Sequence, residues 1–359
     1  IPISLTEKKT PEYKRPWVKP KKVKNIKKFF FPKKNKIREV IFELLKSPNL
    51  TSKKWIWEQY DHMVMCDTIK PPSYGAAVVR VHGTKKSLAI TTDCNSNYCK
   101  YDPFVGTIHA VSEARRNIIS TGANPLAITN NLNFGNPEDK NIMGEFVMSI
   151  KGMINSCKKY SLPVISGNVS FYNETNEKSI KPTPTIGGVG LIKNINKIIS
   201  MNIKKEKNIL LIVGKTSGHL EQSLFAREIL GIKKGPPPEI NLFNEKNNGL
   251  AVSKLMKDNL IESCHDISLG GILIAASKMC IKSNKGIKIN NLKNLKNKFE
   301  YFFSEDQGRY LIEVEKNNFK KVEKILKDNS VHFDELGVVG VNKIEFSNEI
   351  NLSIDDLIK

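Results

Sequence analysis

The stretch AAVVRVHGTKKSLAITT, residues 76–92, decides the fold of the region around it. Its apolar residues follow a period of two on both sides of Gly83-Thr84, as in two half-buried strands joined by a turn. The pattern predicts strands over 76–81 and 87–92. Apolar residues at helical spacing follow over 106–120 and predict a helix. A sheet with helices packed against it is therefore expected from residue 76 onward.

Strand and helix patterns alternate along the rest of the chain. Strands are predicted at 125–129, 163–166, 185–192, 209–213, 286–289 and 310–314, and helices at 37–45, 141–160, 219–230, 247–261, 270–281 and 317–328. This interleaving is typical of the α/β or α+β class. We predict two units, near 66–195 and 205–345, preceded by a basic connector with helices over 1–65.

The composition excludes several classes of protein. The chain has 359 residues, 40% hydrophobic and 26% charged, which excludes wholesale disorder and suggests two domains. No apolar run approaches the ~18–20 residues needed to span a bilayer, so we expect no contact with a membrane. The six cysteines are dispersed without a C-x-x-C pair, which predicts free thiols and a cytoplasmic location.

Basic residues are concentrated at the start of the chain. Residues 1–60 hold 17 Lys and Arg against 5 Glu, within a formal net charge of +21. Such an arm can bind nucleic acid or anionic lipid. Only Arg15 and Arg38 are arginines, although Arg is the better bidentate phosphate ligand. We therefore interpret the Pro-rich residues 1–36 as a surface connector. Since the chain opens on this connector and without Met, we expect it to begin within a larger protein.

Polar residues follow two of the predicted strands. Asn130 opens a polar loop after strand 125–129, and Gly167 and Asn168 follow strand 163–166. Gly167 would let a nucleotide approach the backbone, Asn168 could bind Mg²⁺ through its amide oxygen, and Ser170 could hydrogen-bond a substrate. Ordinary Asn-containing turns account for both stretches as well.

Charged residues mark two further places. Asp93 follows strand 87–92, where a Mg²⁺ site would need a carboxylate, although an Asp there can simply end a turn. His265-Asp266 precedes Gly270-Gly271, whose free N–H groups at a helix start suit an anion. His265 could instead be a core histidine. The chain contains no P-loop, G-x-S-x-G elbow or H-E-x-x-H helix.

The order of these motifs resembles one family. The runs NFGNPE at 133–138, SGNVSFYNE at 166–174 and HDISLGG at 265–271 are similar to the second half of phosphoribosylformylglycinamidine synthase subunit II. That enzyme is the large ATP-dependent synthetase of purine biosynthesis. The likeness extends over essentially the whole chain, and the run at 166–174 is its most specific part.

The resemblance implies two domains of the aminoimidazole ribonucleotide synthetase type. The first is an N-terminal sheet domain that pairs with its counterpart in the other half of the enzyme, and the second is a larger α/β C-terminal domain. The implied reaction converts formylglycinamide ribonucleotide, ATP and ammonia to the amidine, ADP and phosphate. The implied protein partners are that other half, a glutaminase subunit that supplies ammonia, and a small bridging subunit.

Carried over to this chain, the resemblance implies that Asn130 and Gly167 contact the nucleotide, Asn168 binds Mg²⁺ and Ser170 contacts the substrate. Asn130 stands where the family usually has Asp, which weakens its assignment. The family's catalytic histidine lies in the first half. We therefore predict no catalytic residue here and no activity of this half alone. The loop 304–307 resembles one that contacts substrate in the first half, and we expect it to serve structure here.

Two alternatives compete with this interpretation. Another enzyme of the superfamily, such as a selenophosphate or thiamine-phosphate synthesis kinase, would share Thr92-Asp93 but is not expected to carry the run at 166–174. A basic nucleic-acid-binding protein is suggested by the charge of +21. That class predicts aromatic and Arg residues interleaved on a sheet, and the strand segments contain few of either. Nucleic acid is therefore not an expected partner.

Overall fold

The computed structural model describes residues 2–4, 12–26, 28–33, 36–290, 297–340 and 342–358. Ile1, Pro11 and other parts of the predicted connector lie outside the described residues. Helix α1 spans Ile37–Leu45, and a short α2 spans Lys54–Trp57. No helix in the described part of the chain is long and apolar enough to cross a membrane.

A six-stranded sheet is built from residues 68–192. Its strands are β1 (Thr68–Lys70), β2 (Ala77–Arg80), β3 (Ser87–Asp93), β4 (Asn124–Asn133), β5 (Val164–Ser170) and β8 (Thr183–Ile192), in the order β1-β2-β3-β8-β4-β5. A small hairpin, β6 (Glu174–Thr175) and β7 (Lys178–Ser179), follows β5. Neighbouring strands of the sheet are antiparallel except β4 and β5. Because β5 is the last strand in this order, it forms one edge of the sheet.

Three helices accompany this sheet: α3 (Ser96–Tyr101), α4 (Pro103–Ser120) and α5 (Lys140–Tyr160). Asp102 caps α4 by accepting from the amide of Val105 at 3.0 Å, and Pro103 follows at the first helical position. α4 packs on β3, β8 and β4, and α5 packs on α4. Ile128 and Leu132 of β4 face Met153 of α5 in one hydrophobic cluster. One face of the sheet is therefore buried.

A seven-stranded sheet follows. Its strands are β9 (Ile209–Val213), β10 (Ser263–Ile267), β11 (Ile287–Ile289), β12 (Arg309–Val314), β13 (Phe333–Val339), β14 (Lys343–Phe346) and β15 (Ile350–Ser353), in the order β10-β12-β9-β13-β11-β14-β15. Its helices are α6 (Leu242–Lys257), α7 (Gly271–Ser283), α8 (Lys298–Phe303), α9 (Phe319–Asp328) and α10 (Ile354–Ile358). α1, α7 and α8 cover one face, and α6 and α9 cover the other.

Residues 12–26 and 28–33 of the connector run over the surface without regular structure. The amide of Val18 donates to the carbonyl oxygen of Lys140 at 2.9 Å. A Cβ at Gly144 would lie 1.9 Å from the Val18 carbonyl oxygen, so α5 needs a glycine where the connector crosses it. Further along, the amide of Ile26 donates to Glu221 Oε1 at 3.1 Å.

Helix α4 joins the two sheets through a buried arginine. Arg116 Nη1 donates to Glu245 Oε1 at 2.7 Å, and Arg116 Nη2 donates to Gln307 Oε1 at 2.7 Å. Both acceptors belong to the second sheet's domain. The Arg116 side chain is fully buried, and its charge is balanced mainly by Glu245. The two domains therefore share a polar core at this helix.

The α/β class and most predicted elements are confirmed. The prediction of a helix over 219–230 was wrong, because the described structure has only a π-helical segment, Phe225–Ile229. Gln222 has a φ of 61°, a left-handed conformation that interrupts a helix. Its Nε2 instead donates to the carbonyl oxygens of Lys233 and Gly235, each at 3.1 Å.

Candidate functional site

The two polar stretches expected after strands lie inside strands instead. β4 continues to Asn133, and β5 continues through Gly167 to Ser170. They pair in parallel, with Asn131 opposite Asn168. This pairing, with β8 on the other side of β4, outweighs the poor strand propensity of Asn and Gly. The prediction of loops here was wrong, and a sheet holds the candidate residues.

Alternation along the strands places the candidates on opposite faces. Asn130 lies opposite Gly167, and its Nδ2 contacts the sulfur of Met153 at 3.6 Å, on the face that packs against α5. A Cβ at Gly167 would lie 2.5 Å from Asn130 Oδ1, so a larger residue there would have to displace the Asn130 side chain. Gly167 therefore leaves its backbone accessible at the sheet edge, as a nucleotide contact requires.

The opposite face, which we call the outer face, carries Asn168 and Ser170. Three rows of paired residues cross β8, β4 and β5 there: Gly187–Thr129–Ser166, Thr185–Asn131–Asn168 and Thr183–Asn133–Ser170. We call these rows the polar patch. The hydroxyls of Thr129 and Ser166 lie 2.7 Å apart, and Asn168 Nδ2 donates to Asn131 Oδ1 at 3.1 Å. The patch therefore presents amide and hydroxyl groups to an incoming ligand.

Ser170 leads into a turn fixed by side-chain hydrogen bonds. Asn173 Nδ2 donates to the carbonyl oxygens of Phe134 and Ser170, both at 2.9 Å. Ser170 Oγ donates to Asn173 Oδ1 at 3.3 Å. Glu174 Oε1 accepts from the amide of Asn136 at 2.9 Å. Asn173 and Glu174 thus tie the end of the run 166–174 to the segment that follows β4.

Most of the remaining outer face is apolar and open. Residues of β2, β3 and β8 lie there in register, and we call them the apolar patch: Ala77, Val79, Leu88, Ile90, Val189 and Leu191. Ile90 is 45% exposed and the others are half-buried. Exposed apolar surface beside a polar patch is typical of a face that binds another protein surface.

Asp93 lies away from the polar patch, in a cavity of about 650 Å³ between the two domains. Burial and the neighbouring carboxyl of Glu113 raise the pKa of Asp93 well above its ordinary value. Three cations, Lys181, Arg227 and Lys233, also line this cavity. Asp93 therefore belongs to a second polar region, separated from Asn168 by the thickness and width of the sheet.

His265 and Asp266 lie in β10, whose residues are all buried. Burial lowers the pKa of His265 to about 4, so its imidazole is neutral at pH 7. Asp266 Oδ2 lies 4.0 Å from Arg116 Nε. Neither side chain reaches the polar patch, and the burial of His265 fits the alternative of a core histidine that the sequence left open.

The anion site predicted at the start of α7 is filled by a carboxylate side chain of the protein itself, that of Glu305. Glu305 Oε1 accepts from the amides of Gly270 at 2.9 Å and Leu224 at 2.7 Å, and Tyr98 Oη donates to Glu305 Oε2 at 2.5 Å. Burial raises the pKa of Glu305 to about 7, although these three hydrogen bonds lower it. Tyr98, in α3, was not singled out from the sequence, because its partner is 207 residues away.

The polar patch fits a metal ion only when that ion is already bound to phosphate. Among the described residues, no group of three or more His, Cys, Asp or Glu side chains could hold a metal. Asn168 Oδ1 accepts no hydrogen bond from described residues, since the amide contacts Asn131 through its nitrogen. Nucleotide-bound Mg²⁺ takes most ligands from phosphate and water and only one or two from protein. One free amide oxygen is suited to that role.

Each of the two sheets lies in a region that matches a known protein family. The family of AIR synthase related protein, N-terminal domain, matches residues 74–192, and that of AIR synthase related protein, C-terminal domain, matches residues 206–347. The chain belongs to the AIR synthase related protein family. The N-terminal match contains the polar patch and Gly167, and the C-terminal match contains His265 and Asp266.

Relatives extend the likeness over the whole chain. The chain is 52% identical over 362 residues to phosphoribosylformylglycinamidine synthase subunit PurL of Pelagibacter ubique, covering 100% of this chain and 49% of that protein. The resemblance inferred from the motifs is confirmed. The chain spans about half the length of the curated relatives that it matches.

Solved structures share the fold at low sequence identity. T. maritima PurL complexed with FGAR has a TM-score of 0.69 and 19% identity, covering 89% of this chain and 52% of that one. PurLQS from Thermotoga maritima has a TM-score of 0.64 and 17% identity, covering 79% and 46% of the two chains. These matches confirm the expected pair of AIR synthase related domains.

Proposed function

We propose that this chain is the second half of an ATP-dependent, amidine-forming synthetase of purine biosynthesis. It would act in the conversion of formylglycinamide ribonucleotide, ATP and ammonia to the amidine, ADP and phosphate, which is a carbon–nitrogen ligase reaction. The whole-chain likeness to a phosphoribosylformylglycinamidine synthase subunit supports this reaction. The observation that carries the proposal is the polar patch, which holds Asn168 and Ser170 of the family's most specific run on an open sheet edge.

The proposed reaction depends more on the correct positioning of its substrates than on a nucleophilic side chain of the protein. The substrate's amide oxygen attacks the γ-phosphorus of ATP and ADP leaves; ammonia then attacks the activated carbon and phosphate leaves. In this chain, the Gly167 backbone would contact the nucleotide from the sheet edge, and Ser170 Oγ would hold the substrate. The Asn130 side chain lies on the opposite face from Asn168, against Met153 of α5, so it would contact the nucleotide only if the nucleotide extends around the edge strand β5. Asn168 would bind Mg²⁺, which neutralises phosphate charge when present.

The proposed site is shared between two halves. We assign no catalytic residue to this chain, and we expect the acid–base histidine to come from the other half. The open outer face supports this division, because its apolar patch and the edge strand β5 offer a surface for a second sheet domain. This half alone is therefore expected to be inactive.

Partners and location follow from the proposal. The assembly named PurLQS supports a complex with further subunits, for which we propose a glutaminase and a small bridging subunit. All six cysteines have free thiols, which suits the proposed cytoplasmic location.

We retain units 66–195 and 205–345 after a connector region 1–65. Of the secondary candidates, Asp93 would face the cavity between the domains, and His265 and Asp266 would serve structure.

The test compares the chain alone with the chain mixed with a separately expressed first half. Amidine formation from formylglycinamide ribonucleotide, ATP and ammonia should appear only in the mixture, since correct placement contributes ~7–11 kcal/mol to lowering a barrier. Turnover by the chain alone as a monomer would overturn the shared site. Phosphorylation of a small molecule without ammonia would instead support another kinase of the superfamily.

A further inference from the structure

We propose that Asn131 is a positioning residue, which orients the Asn168 amide so that its carbonyl oxygen is free for the metal ion. This inference rests on the function proposed above. The two residues are directly opposite each other in the parallel pair of β4 and β5, and both side chains lie on the outer face. Asn168 Nδ2 donates to Asn131 Oδ1 at 3.1 Å.

The orientation matters because an amide has two different ends. Only the carbonyl oxygen of Asn can bind Mg²⁺, whereas its NH₂ group can only donate hydrogen bonds. If Asn131 accepts from the Asn168 nitrogen, the Asn168 oxygen is left without a protein partner. The reverse arrangement would place an N–H of Asn131 on that oxygen, in competition with a cation.

The strand positions explain why Asn131 sets the orientation rather than Asn168. β4 lies between β8 and β5, so the backbone at Asn131 is held from both sides. Asn133 Nδ2 also donates to the Asn131 carbonyl oxygen at 3.2 Å. Asn168 lies on the exposed edge strand, where a side chain loses more conformational entropy on being fixed. A fixed neighbour therefore reduces the entropy cost of metal binding.

The experiment measures Mg²⁺ dependence rather than turnover. The chain is assembled with its first half, and binding of a non-hydrolysable methylene analogue of ATP is followed by calorimetry over a Mg²⁺ titration. Asn131→Leu should weaken the apparent Mg²⁺ affinity about three- to tenfold, the value of one hydrogen bond. Binding of the analogue without Mg²⁺ should not change. Asn131→Asp can only accept from Asn168, and it should bind Mg²⁺ at least as tightly as the unmodified chain.

Val164→Ala is the matched control, because Val164 pairs with Ile128 on the same two strands but lies outside the polar patch. It should leave the Mg²⁺ dependence unchanged. An equal loss in Val164→Ala and Asn131→Leu would overturn the proposal, since damage to the strand pair would then explain both. If Asn131→Leu does not fold, Asn131→Ala removes the same acceptor.

Asn168→Leu separates this inference from the function on which it rests. If Asn168→Leu leaves the Mg²⁺ titration unchanged, the metal assignment in the proposed function is wrong. If Asn168→Leu weakens Mg²⁺ binding and Asn131→Leu does not, only the role of Asn131 is wrong. The double variant should bind Mg²⁺ no more weakly than Asn168→Leu alone, because Asn131 acts only through Asn168.

Discussion

The two sheets of this protein differ in how their faces are covered. In the seven-stranded sheet, every residue of β9, β10 and β12 is buried, and hydrophobic clusters lie on both faces. In the six-stranded sheet, only alternate residues of β8 are buried, and every residue of β5 except Ser170 is exposed. The second sheet is therefore completed by its own helices, while the first keeps one face and one edge available for contacts from outside.

This difference explains where the candidate residues lie. A sheet buried on both faces has no room for a ligand, and its polar side chains are used in internal contacts, as Asp266 is. Asn168 and Ser170 lie instead on the sheet that has an open face. We therefore expect stability to depend mainly on the second sheet and ligand recognition mainly on the first.

The largest expected effect comes from placing a charge in the apolar patch. Ile90→Glu should reduce amidine formation in the mixture of halves at least ~100-fold, because assembly would bury an unpaired carboxylate. The free energy of unfolding of the chain itself should change by less than ~0.5 kcal/mol, since Ile90 is 45% exposed. Phe243→Glu on α6 is the control, because Phe243 is 59% exposed and lies next to Lys159 of α5, a helix on the opposite side of the sheet from the outer face. Equal losses of rate in both variants would contradict a specific interface.

A second prediction compares equivalent truncations in the two sheets. Ile212→Ala in β9 removes a side chain that is fully buried, and it should lower the free energy of unfolding by about 2–5 kcal/mol. Ile90→Ala should lower it by less than ~0.5 kcal/mol. Urea titrations of both variants measure these differences. Similar losses would show that the outer face already contributes to the core of the isolated chain.

The smallest expected effect concerns pH at the junction of the two domains. The pKa of Glu305 is raised in the folded state, from 4.5 to about 7. Its contribution to stability is therefore present below pH 4.5 and is lost as the pH rises to about 7. The slope should reach about 1 kcal/mol per pH unit, and Glu305→Gln should flatten it.

Urea titrations between pH 5 and pH 8 measure that slope. Tyr98→Phe is the matched variant, because it removes a hydrogen bond that lowers the pKa of Glu305. It should move the pH dependence to higher pH. A slope that Glu305→Gln leaves unchanged would assign the pH dependence to other carboxyls of the cavity.

The sequence predicted elements whose pattern is local. The hairpin around Gly83-Thr84, the strand at 209–213 and helix α1 all have apolar spacing that the final burial reproduces. The family resemblance also followed from short motifs. These signals are contained within a few residues, so they can be recognised before the fold is known.

Features that depend on distant partners were not predictable in the same way. Asn130 and Gly167 looked like loop residues, because the pairing that makes them strand residues comes from another part of the chain. Once both stretches lie in strands, side-chain alternation puts Asn130 and Asn168 on opposite faces, a placement that the local sequence pattern does not predict. The helix predicted over 219–230 is interrupted at Gln222 by contacts to residues that follow it.

The buried arginine of α4 also constrains how the chain can fold during synthesis. Arg116 hydrogen-bonds to Glu245, 129 residues later, and to Gln307, 191 residues later. At roughly 5–20 residues per second, a ribosome adds Gln307 roughly 10–40 s after Arg116. Until then the Arg116 guanidinium lacks one of its two long-range hydrogen-bond acceptors. The junction between the two domains can therefore be completed only after most of the second domain has been synthesised.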